Sequence, residues 1–194
     1  MAKVVTAERI GRTTLELRQG NITKVAADVI VNAANASLSG GGGVDGWIHR
    51  IGGPSIMAQC RIIGGCPTGE AVVTGAGDLL AKYVVHAVAP RYSGKPQDAQ
   101  LLRSAYANAL LRAEEVKAKS IAFPSLGTGA YGYPIEQAAP IAVDTVRRHL
   151  GSGRTSLELV MFVLFTEHDY DVYRKLFPTT ADPATGPAPD RSAD

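Results

Sequence analysis

Short segments rich in Val, Ile and Tyr alternate along the chain with longer segments of helical periodicity. This alternation is typical of α/β domains, in which strands pair in one sheet and helices cover its faces. Strands are predicted over residues 13–18, 28–32, 70–74, 83–88, 120–124 and 157–165. Helices are predicted over residues 46–61, 98–118, 134–150 and 169–176.

Length and charge restrict the function classes further. A chain of 194 residues fits one domain with a single sizeable core, which we place at residues 1–177. Charged residues make up 20% and the net charge is +2, which excludes a highly charged disordered chain and gives no electrostatic case for nucleic acid. The segment 178–194, PTTADPATGPAPDRSAD, has no large apolar residue, so we predict a disordered Pro/Ala-rich tail.

No segment predicts a membrane anchor, a disulfide framework or a metal centre. The start, MAKVVTAERIGRTTLELRQG, has no continuous apolar region, and no later stretch approaches the length that crosses a bilayer. The spacing of Cys60 and Cys66 matches neither a zinc knuckle nor a redox pair, and the four histidines show no ligand spacing. We therefore expect a cytoplasmic protein with reduced thiols, no metal and no cofactor.

Two glycine-rich loops lie where a predicted strand precedes a predicted helix. The first is residues 39–46, SGGGGVDG, and the second is residues 127–132, GTGAYG. Glycine lets backbone N–H groups face an anion, and a helix N-terminus adds positive partial charge. For one such loop alone, a flexible surface turn is about as good an explanation as a phosphate-binding site. Two loops in equivalent positions favour a ligand with two adjacent phosphates.

Neither loop fits the dinucleotide fingerprint or the Walker A motif of enzymes that transfer phosphoryl groups. Gly41, Gly43 and Gly46 satisfy G-x-G-x-x-G, yet the seven residues 33–39 separate the predicted strand from the first glycine, unlike the dinucleotide fingerprint. Neither loop ends in the Gly-Lys-Ser/Thr of a Walker A motif. Backbone amides without lysine or metal indicate recognition of a diphosphate.

Four polar residues lie in or beside the first loop: Asn32, Asn35, Asp45 and His49. A carboxylate in a first helical turn is stabilised by the helix dipole and can accept a proton or orient a water molecule. An asparagine amide can both donate to and accept from a sugar hydroxyl. The alternatives are that Asp45 only caps a helix, that the asparagines form turns, and that His49 is an ordinary helix residue.

The segment ADVIVNAANASLSGGGGVDGWIHRIGGPSI and the later FPSLGTGAYGYP resemble the two signature loops of macrodomains of the MacroD-type branch. The resemblance extends over residues 15–177. It implies a three-layer α/β/α fold whose central sheet is mixed and mostly parallel, with ADP-ribose bound in a cleft over the strand ends. Two residues depart from the family pattern. Trp47 stands where the family usually has a small residue, and Gly127 stands where many members have Ser.

The resemblance also implies roles for individual residues. Asn35 would hold the distal ribose, Asp45 would position or activate water, and His49 would assist in catalysis. Asp28 and Val29 would contact adenine. The residues implied in ADP-ribose binding are Asp28, Val29, Asn32, Asn35, Gly42, Gly43, Val44, Asp45, Gly127, Thr128, Gly129, Ala130, Tyr131 and Phe165. Phe165 would stack on adenine, although a core position in its strand is the alternative.

The activity that the resemblance implies is hydrolysis of ADP-ribosyl esters. The substrates would be mono-ADP-ribosylated Asp and Glu side chains of proteins and O-acetyl-ADP-ribose, with ADP-ribosylated nucleic-acid ends as a further partner. The alternative is a non-catalytic module that reads ADP-ribose. A monomer without membrane partners is expected.

Overall fold

The computed structural model of the protein describes residues 3–178, so the tail predicted beyond Pro178 lies outside the described residues. The strands are β1 Lys3–Ile10, β2 Thr13–Gln19, β3 Ala27–Ala33, β4 Ala71–Gly75, β5 Ala81–Ala87, β6 Ser120–Phe123 and β7 Leu159–Leu164. The helices are α1 Gly43–Gly52, α2 Pro54–Ile63, α3 Pro96–Glu115, α4 Ile135–Gly151 and α5 Glu167–Arg174.

One mixed sheet has the strand order β1-β2-β7-β6-β3-β5-β4. The strands β2, β7, β6, β3 and β5 run parallel, whereas β1 and β4 pair antiparallel at the two edges. The carboxyl ends of the five parallel strands therefore meet at one edge of the sheet, which is where ligands bind in open α/β sheets.

Each face of the sheet packs against its own helical layer. Val29 and Val31 of β3 belong to the core that packs against α3, α4 and α5. Ile30, which lies between these two valines in the strand, belongs to the core that packs against α1 and α2. This alternation follows from the two-residue period of a strand. The predicted three-layer architecture with a mixed, mostly parallel sheet is confirmed.

The predicted elements lack one strand and merge two helices. No strand was predicted at β1, because its β-branched residues Val4 to Thr6 are followed by Ala7, Glu8 and Arg9, and its pairing with β2 determines its structure. The helix predicted over residues 46–61 is two helices, since Gly53 has a φ of 78° and Pro54 begins α2. In residues 3–178 we find no helix with the length and apolar character that a bilayer crossing requires.

Candidate functional site

A cleft of about 400 Å³ opens at the carboxyl edge of the sheet, where β3, β5 and β6 end. Both glycine loops contribute to its walls. The residues that line it are Ala33, Ala34, Asn35, Gly41, Gly42, Gly43, Val44, Asp45, Ala89, Arg91, Ser125, Gly127, Gly129, Ala130 and Tyr131. The structure thus brings together the two loops that the sequence predicted to act on one ligand.

The first loop ends in the N-terminus of α1. Gly42 is the N-cap, and Gly43, Val44 and Asp45 form the first turn. The N–H groups of a first turn have no partner within the helix, so they are free to bind an anion, and the helix dipole adds to that attraction. The wall of the cleft at this point is suited to a phosphate group.

The second loop depends on a backbone conformation that favours glycine. Gly127 has a φ of 79°, and a Cβ there would lie 3.2 Å from the Cβ of Ala89. The loop is closed by two hydrogen bonds, from Tyr133 N to Gly127 O at 3.0 Å and from Gly132 N to Gly129 O at 2.9 Å. Glycine at position 127 therefore fits a tight turn against the end of β5, where a serine would be strained.

Asp45 presents its two carboxylate oxygens to different surroundings. Oδ1 accepts a hydrogen bond from Asn32 Nδ2 at 2.6 Å and lies 3.3 Å from His49 Nε2. Oδ2 faces the first loop, because a Cβ built on Gly41 would lie 3.3 Å from it. Asp45 lies in the first turn of α1 and is not its N-cap, so the helix-cap alternative is excluded.

Asn32 supports Asp45 from below the cleft. Its side chain is fully buried and is absent from the residues that line the cleft. Besides the bond to Asp45, Asn32 Nδ2 lies 3.1 Å from His86 Nδ1. The prediction that Asn32 contacts ADP-ribose is therefore wrong, because the odd residues of β3 face one core and Asn32 faces the layer of α1 and α2.

His86 lies on β5 beneath this pair and is 1% exposed. Its Nε2 lies 2.9 Å from Thr74 Oγ1 on the edge strand β4. Burial lowers the pKa of His86 to about 4, with a smaller contribution from His49. His86 is therefore neutral at neutral pH.

Asn35 lines the cleft and also shapes the first loop. Its Nδ2 donates to Gly40 O at 2.9 Å, and its Oδ1 accepts from Ser37 Oγ at 3.0 Å and from Ser39 N at 3.1 Å. One N–H of the amide remains available to a ligand, since an amide carries two. The turn-forming interpretation of Asn35 is thus confirmed without excluding contact with a sugar.

His49 touches Asp45 and is not among the residues that line the cleft. Within residues 3–178, its ring nitrogen Nδ1 is buried and has no hydrogen-bond partner. Potential ligand atoms of His49, Cys60 and His86 lie within 4.8 Å of one another, a distance that a soft divalent metal could bridge. Spacing along the chain does not reveal this cluster, because its members come from α1, α2 and β5.

Arg91 is a site residue that sequence reasoning missed. Of the described residues lining the cleft, it alone carries a positive charge, and its guanidinium lies 4.5 Å from the centre of the Tyr131 ring. Tyr92 N donates to Tyr131 O at 2.9 Å, which fixes this segment to the second loop. The sequence does contain a signal for Arg91. The residue comes shortly after the predicted strand 83–88, and ligands of α/β sheets bind beyond the carboxyl ends of the strands.

Two residues assigned to adenine lie at the wrong end of the sheet. Asp28 stands at the start of β3, where it accepts hydrogen bonds from Lys82 Nζ at 2.8 Å and Lys119 N at 2.7 Å. The hydrogen bond from Lys82 lowers its pKa, with the Lys119 amide adding to the effect. Val29 is fully buried in the core. Neither assignment holds, because the cleft lies at the opposite ends of the strands.

Thr128 and Phe165 also fall outside the residues that line the cleft. Thr128 Oγ1 donates to Ser125 O at 3.1 Å within the second loop. Phe165 directly follows β7 and is 72% exposed, so a core position is excluded. Trp47 is 49% exposed on α1, under Arg50, and does not line the cleft.

Comparisons with known proteins agree with this architecture. A family model described as Macro domain matches residues 31–142. O-acetyl-ADP-ribose deacetylase 1 of Pantoea vagans is 50% identical over 81% of this chain and 95% of its own. ADP-ribose glycohydrolase MACROD2 of Xenopus laevis is 48% identical over 81% of this chain and 38% of its own. The Oceanobacillus iheyensis macrodomain with ADP has a TM-score of 0.84 and 41% identity, covering 88% of this chain and 93% of that one.

Proposed function

The chain belongs to the macrodomain family, and from this premise we propose that it binds ADP-ribose and hydrolyses ADP-ribosyl esters. The substrates are mono-ADP-ribosylated Asp and Glu side chains of proteins and O-acetyl-ADP-ribose. One observation carries the proposal. Asp45 is a carboxylate held at the wall of a diphosphate-sized cleft, with Oδ1 bound inside the protein and Oδ2 left toward the loop.

The cleft supports a specific orientation of the ligand. The diphosphate lies between the N-terminus of α1 and the second loop, where backbone N–H groups and Arg91 offset its charge. Adenine extends along the same edge of the sheet toward Phe165, whose ring follows β7 at that edge and is exposed, so that it can stack on a base. Asn35 and Tyr131 line the part that receives the distal ribose.

The reaction adds one water molecule across the ester and releases ADP-ribose and a free carboxylic acid. Asp45 Oδ2 accepts a hydrogen bond from that water and orients it, while Oδ1 remains bound to Asn32. A positioned carboxylate of this kind contributes roughly 10²–10⁴-fold to a rate. The diphosphate itself adds a further acceptor beside the water.

Asp45→Ala and Asp45→Asn test the proposal. ADP-ribose release is measured from a glutamate-linked mono-ADP-ribosylated protein and from O-acetyl-ADP-ribose, and ADP-ribose affinity by calorimetry. We expect kcat to fall by roughly 10²-fold or more while the Kd changes by less than about tenfold. Asp171→Asn, an exposed change on α5, serves as the matched control.

The outcomes separate the enzyme from its alternative. Unchanged turnover in both Asp45 variants would remove Asp45 from the mechanism. Tight ADP-ribose binding by the wild type without release from either ester would show a reader module. Two further predictions remain. Action on ADP-ribosylated nucleic-acid ends is tested by the same assay with an end-modified oligonucleotide, and the monomeric state by sedimentation analysis.

A further inference from the structure

A chain of buried polar side chains links Asp45 to the far edge of the sheet. Asn32 on β3 and His86 on β5 are register partners, and both side chains face the layer of α1 and α2. Their exposed fractions are 0% and 1%. Thr74 on β4, 2% exposed, continues the chain on the other side of His86.

The hydrogen bonds admit one consistent assignment of protons. A carboxylate can only accept, so Asn32 Nδ2 is the donor to Asp45 Oδ1. The second hydrogen of the same amide points to His86 Nδ1, which must then be unprotonated. The imidazole proton is therefore on Nε2, where Thr74 Oγ1 accepts it at 2.9 Å and Cys60 Sγ is a second, more distant neighbour at 3.7 Å. The Thr74 hydroxyl in turn donates to Gly75 O at 3.0 Å.

The other tautomer of His86 breaks the bond to Asp45. A proton on Nδ1 would require the Asn32 amide to turn and offer its oxygen. That oxygen would then replace the nitrogen that lies 2.6 Å from Asp45 Oδ1, and two acceptor oxygens repel at that distance. The tautomer of His86 thus decides whether Asp45 has a donor on Oδ1.

The Asn32 amide has no other anchor. Among the described residues, none hydrogen-bonds its buried oxygen Oδ1. An amide whose oxygen is unbound is held in one orientation by its two N–H bonds alone, and one of these goes to His86. The same geometry argues against a metal at the cluster of His49, Cys60 and His86, because Nε2 of His86 carries the proton.

We propose that His86 and Thr74 are positioning residues for Asp45, which fix the orientation of the Asn32 amide and through it the carboxylate. The inference rests on the proposed hydrolysis for its kinetic consequence. Neither residue touches the cleft, so their substitution lowers kcat and leaves ADP-ribose affinity nearly unchanged. His86 remains neutral in this arrangement because it is buried.

The kinetic test compares conservative and disruptive variants at both positions. His86→Asn retains an acceptor close to the position of Nδ1, whereas His86→Leu removes it. Thr74→Ser retains the hydroxyl, whereas Thr74→Val removes the nearer acceptor for Nε2–H and leaves only the thiol of Cys60 among the described residues. We expect kcat to fall about tenfold in His86→Leu and Thr74→Val, with KM and the ADP-ribose Kd within about threefold, and to recover in His86→Asn and Thr74→Ser.

A double-mutant cycle separates positioning from general packing. In an Asp45→Asn background, His86→Leu should lower the remaining rate by less than twofold, because the carboxylate that it positions is absent. Equal loss in His86→Asn and His86→Leu, or full additivity with Asp45→Asn, would overturn the proposal.

A direct measurement on the wild type needs neither a variant nor turnover. The ¹⁵N NMR spectrum of the His86 imidazole should show the proton on Nε2 at neutral pH. Protonation on Nδ1 would refute the inference outright. If the wild type hydrolyses no ester, the proposed function fails while this spectrum still decides the proton assignment.

Discussion

Gly46 leaves no room for a side chain against Gly41, because a Cβ added at Gly46 would lie 2.5 Å from the carbonyl oxygen of Gly41. The obstacle is backbone, which cannot rotate away as a side chain can. Gly46→Ala should displace the first loop from α1. We expect the ADP-ribose Kd to rise at least about tenfold in calorimetry, since the phosphate-binding N–H groups depend on that contact.

The control for this change is Gly151→Ala. Gly151 is also helical, at the end of α4, and no atom of residues 3–178 lies within 4 Å of a Cβ added there, apart from its chain neighbours and its own helix backbone. Alanine in a helix is intrinsically favoured over glycine by roughly 0.5–1 kcal/mol. Gly151→Ala should therefore leave affinity unchanged, and wild-type affinity in Gly46→Ala would contradict the predicted displacement.

Arg91→Ala should weaken ADP-ribose binding in a salt-dependent way. Its guanidinium is the positive charge at a cleft otherwise lined by neutral groups and Asp45, and it is held over Tyr131. We expect a loss of about three- to tenfold at low ionic strength, shrinking near 0.5 M salt because exposed charges are screened. Titrations at two salt concentrations measure it. Arg50→Ala, which removes the cation over Trp47 on α1, should show neither effect.

Asp28→Ala should leave ADP-ribose affinity unchanged within twofold. The carboxylate accepts from two backbone N–H groups and Lys82 at the amino end of β3, remote from the cleft. Its loss should instead lower the free energy of unfolding by about 1–2 kcal/mol, as for hydrogen bonds to a charged group. Calorimetry and urea unfolding test both parts. Affinity reduced more than tenfold would restore Asp28 to the ligand site.

Glu114 should make the protein acid-sensitive. Burial raises the pKa of Glu114, but hydrogen bonds from Ser156, Thr155 and His149 outweigh it and lower the pKa to about 2. Because the folded pKa lies below the unfolded value of 4.5, this stabilisation is present above pH 4.5 and is lost as pH falls toward 2. The contribution is about 3 kcal/mol.

Denaturant unfolding at pH 5 and pH 3 measures that loss. Glu114→Gln should reduce the difference in unfolding free energy between the two pH values, since its side chain does not titrate. Glu115→Gln, at an exposed neighbour that pairs with Arg112, should retain the wild-type difference. An unchanged pH dependence in Glu114→Gln would assign the acid sensitivity to other carboxylates.

Local patterns predicted the features that depend on nearby residues. The six predicted strands and the glycine loops correspond to observed elements because alternation and turn residues act within a few positions. The break at Gly53 was visible as Gly-Gly-Pro, yet the predicted helix passed through it. β1 was missed although its partner β2 begins three residues after it ends, because Ala7, Glu8 and Arg9 interrupt the β-branched pattern of the strand.

The site shows the same division. Asp45 and Asn35 follow from motifs beside the first loop, and both line the cleft. The likeness of the segment predicts Asp28 at the ligand, but Asp28 lies at the start of β3 and the cleft lies at its end. The roles of Asn32 and His86 require the strand register, which joins positions 54 residues apart in the chain. No pattern in a single sequence reports that pairing.

The pairing of Asn32 with His86 in the register of β3 and β5 has a consequence for how this chain can change. A slip of one residue would turn Val31 toward Asp45 and Asn32 into the opposite core. Mutations that weaken the pairing of these two strands should therefore lower both the stability of the fold and the rate of hydrolysis. At this strand pair, a substitution that lowers stability also lowers activity. In the loops, substitutions can change one without the other.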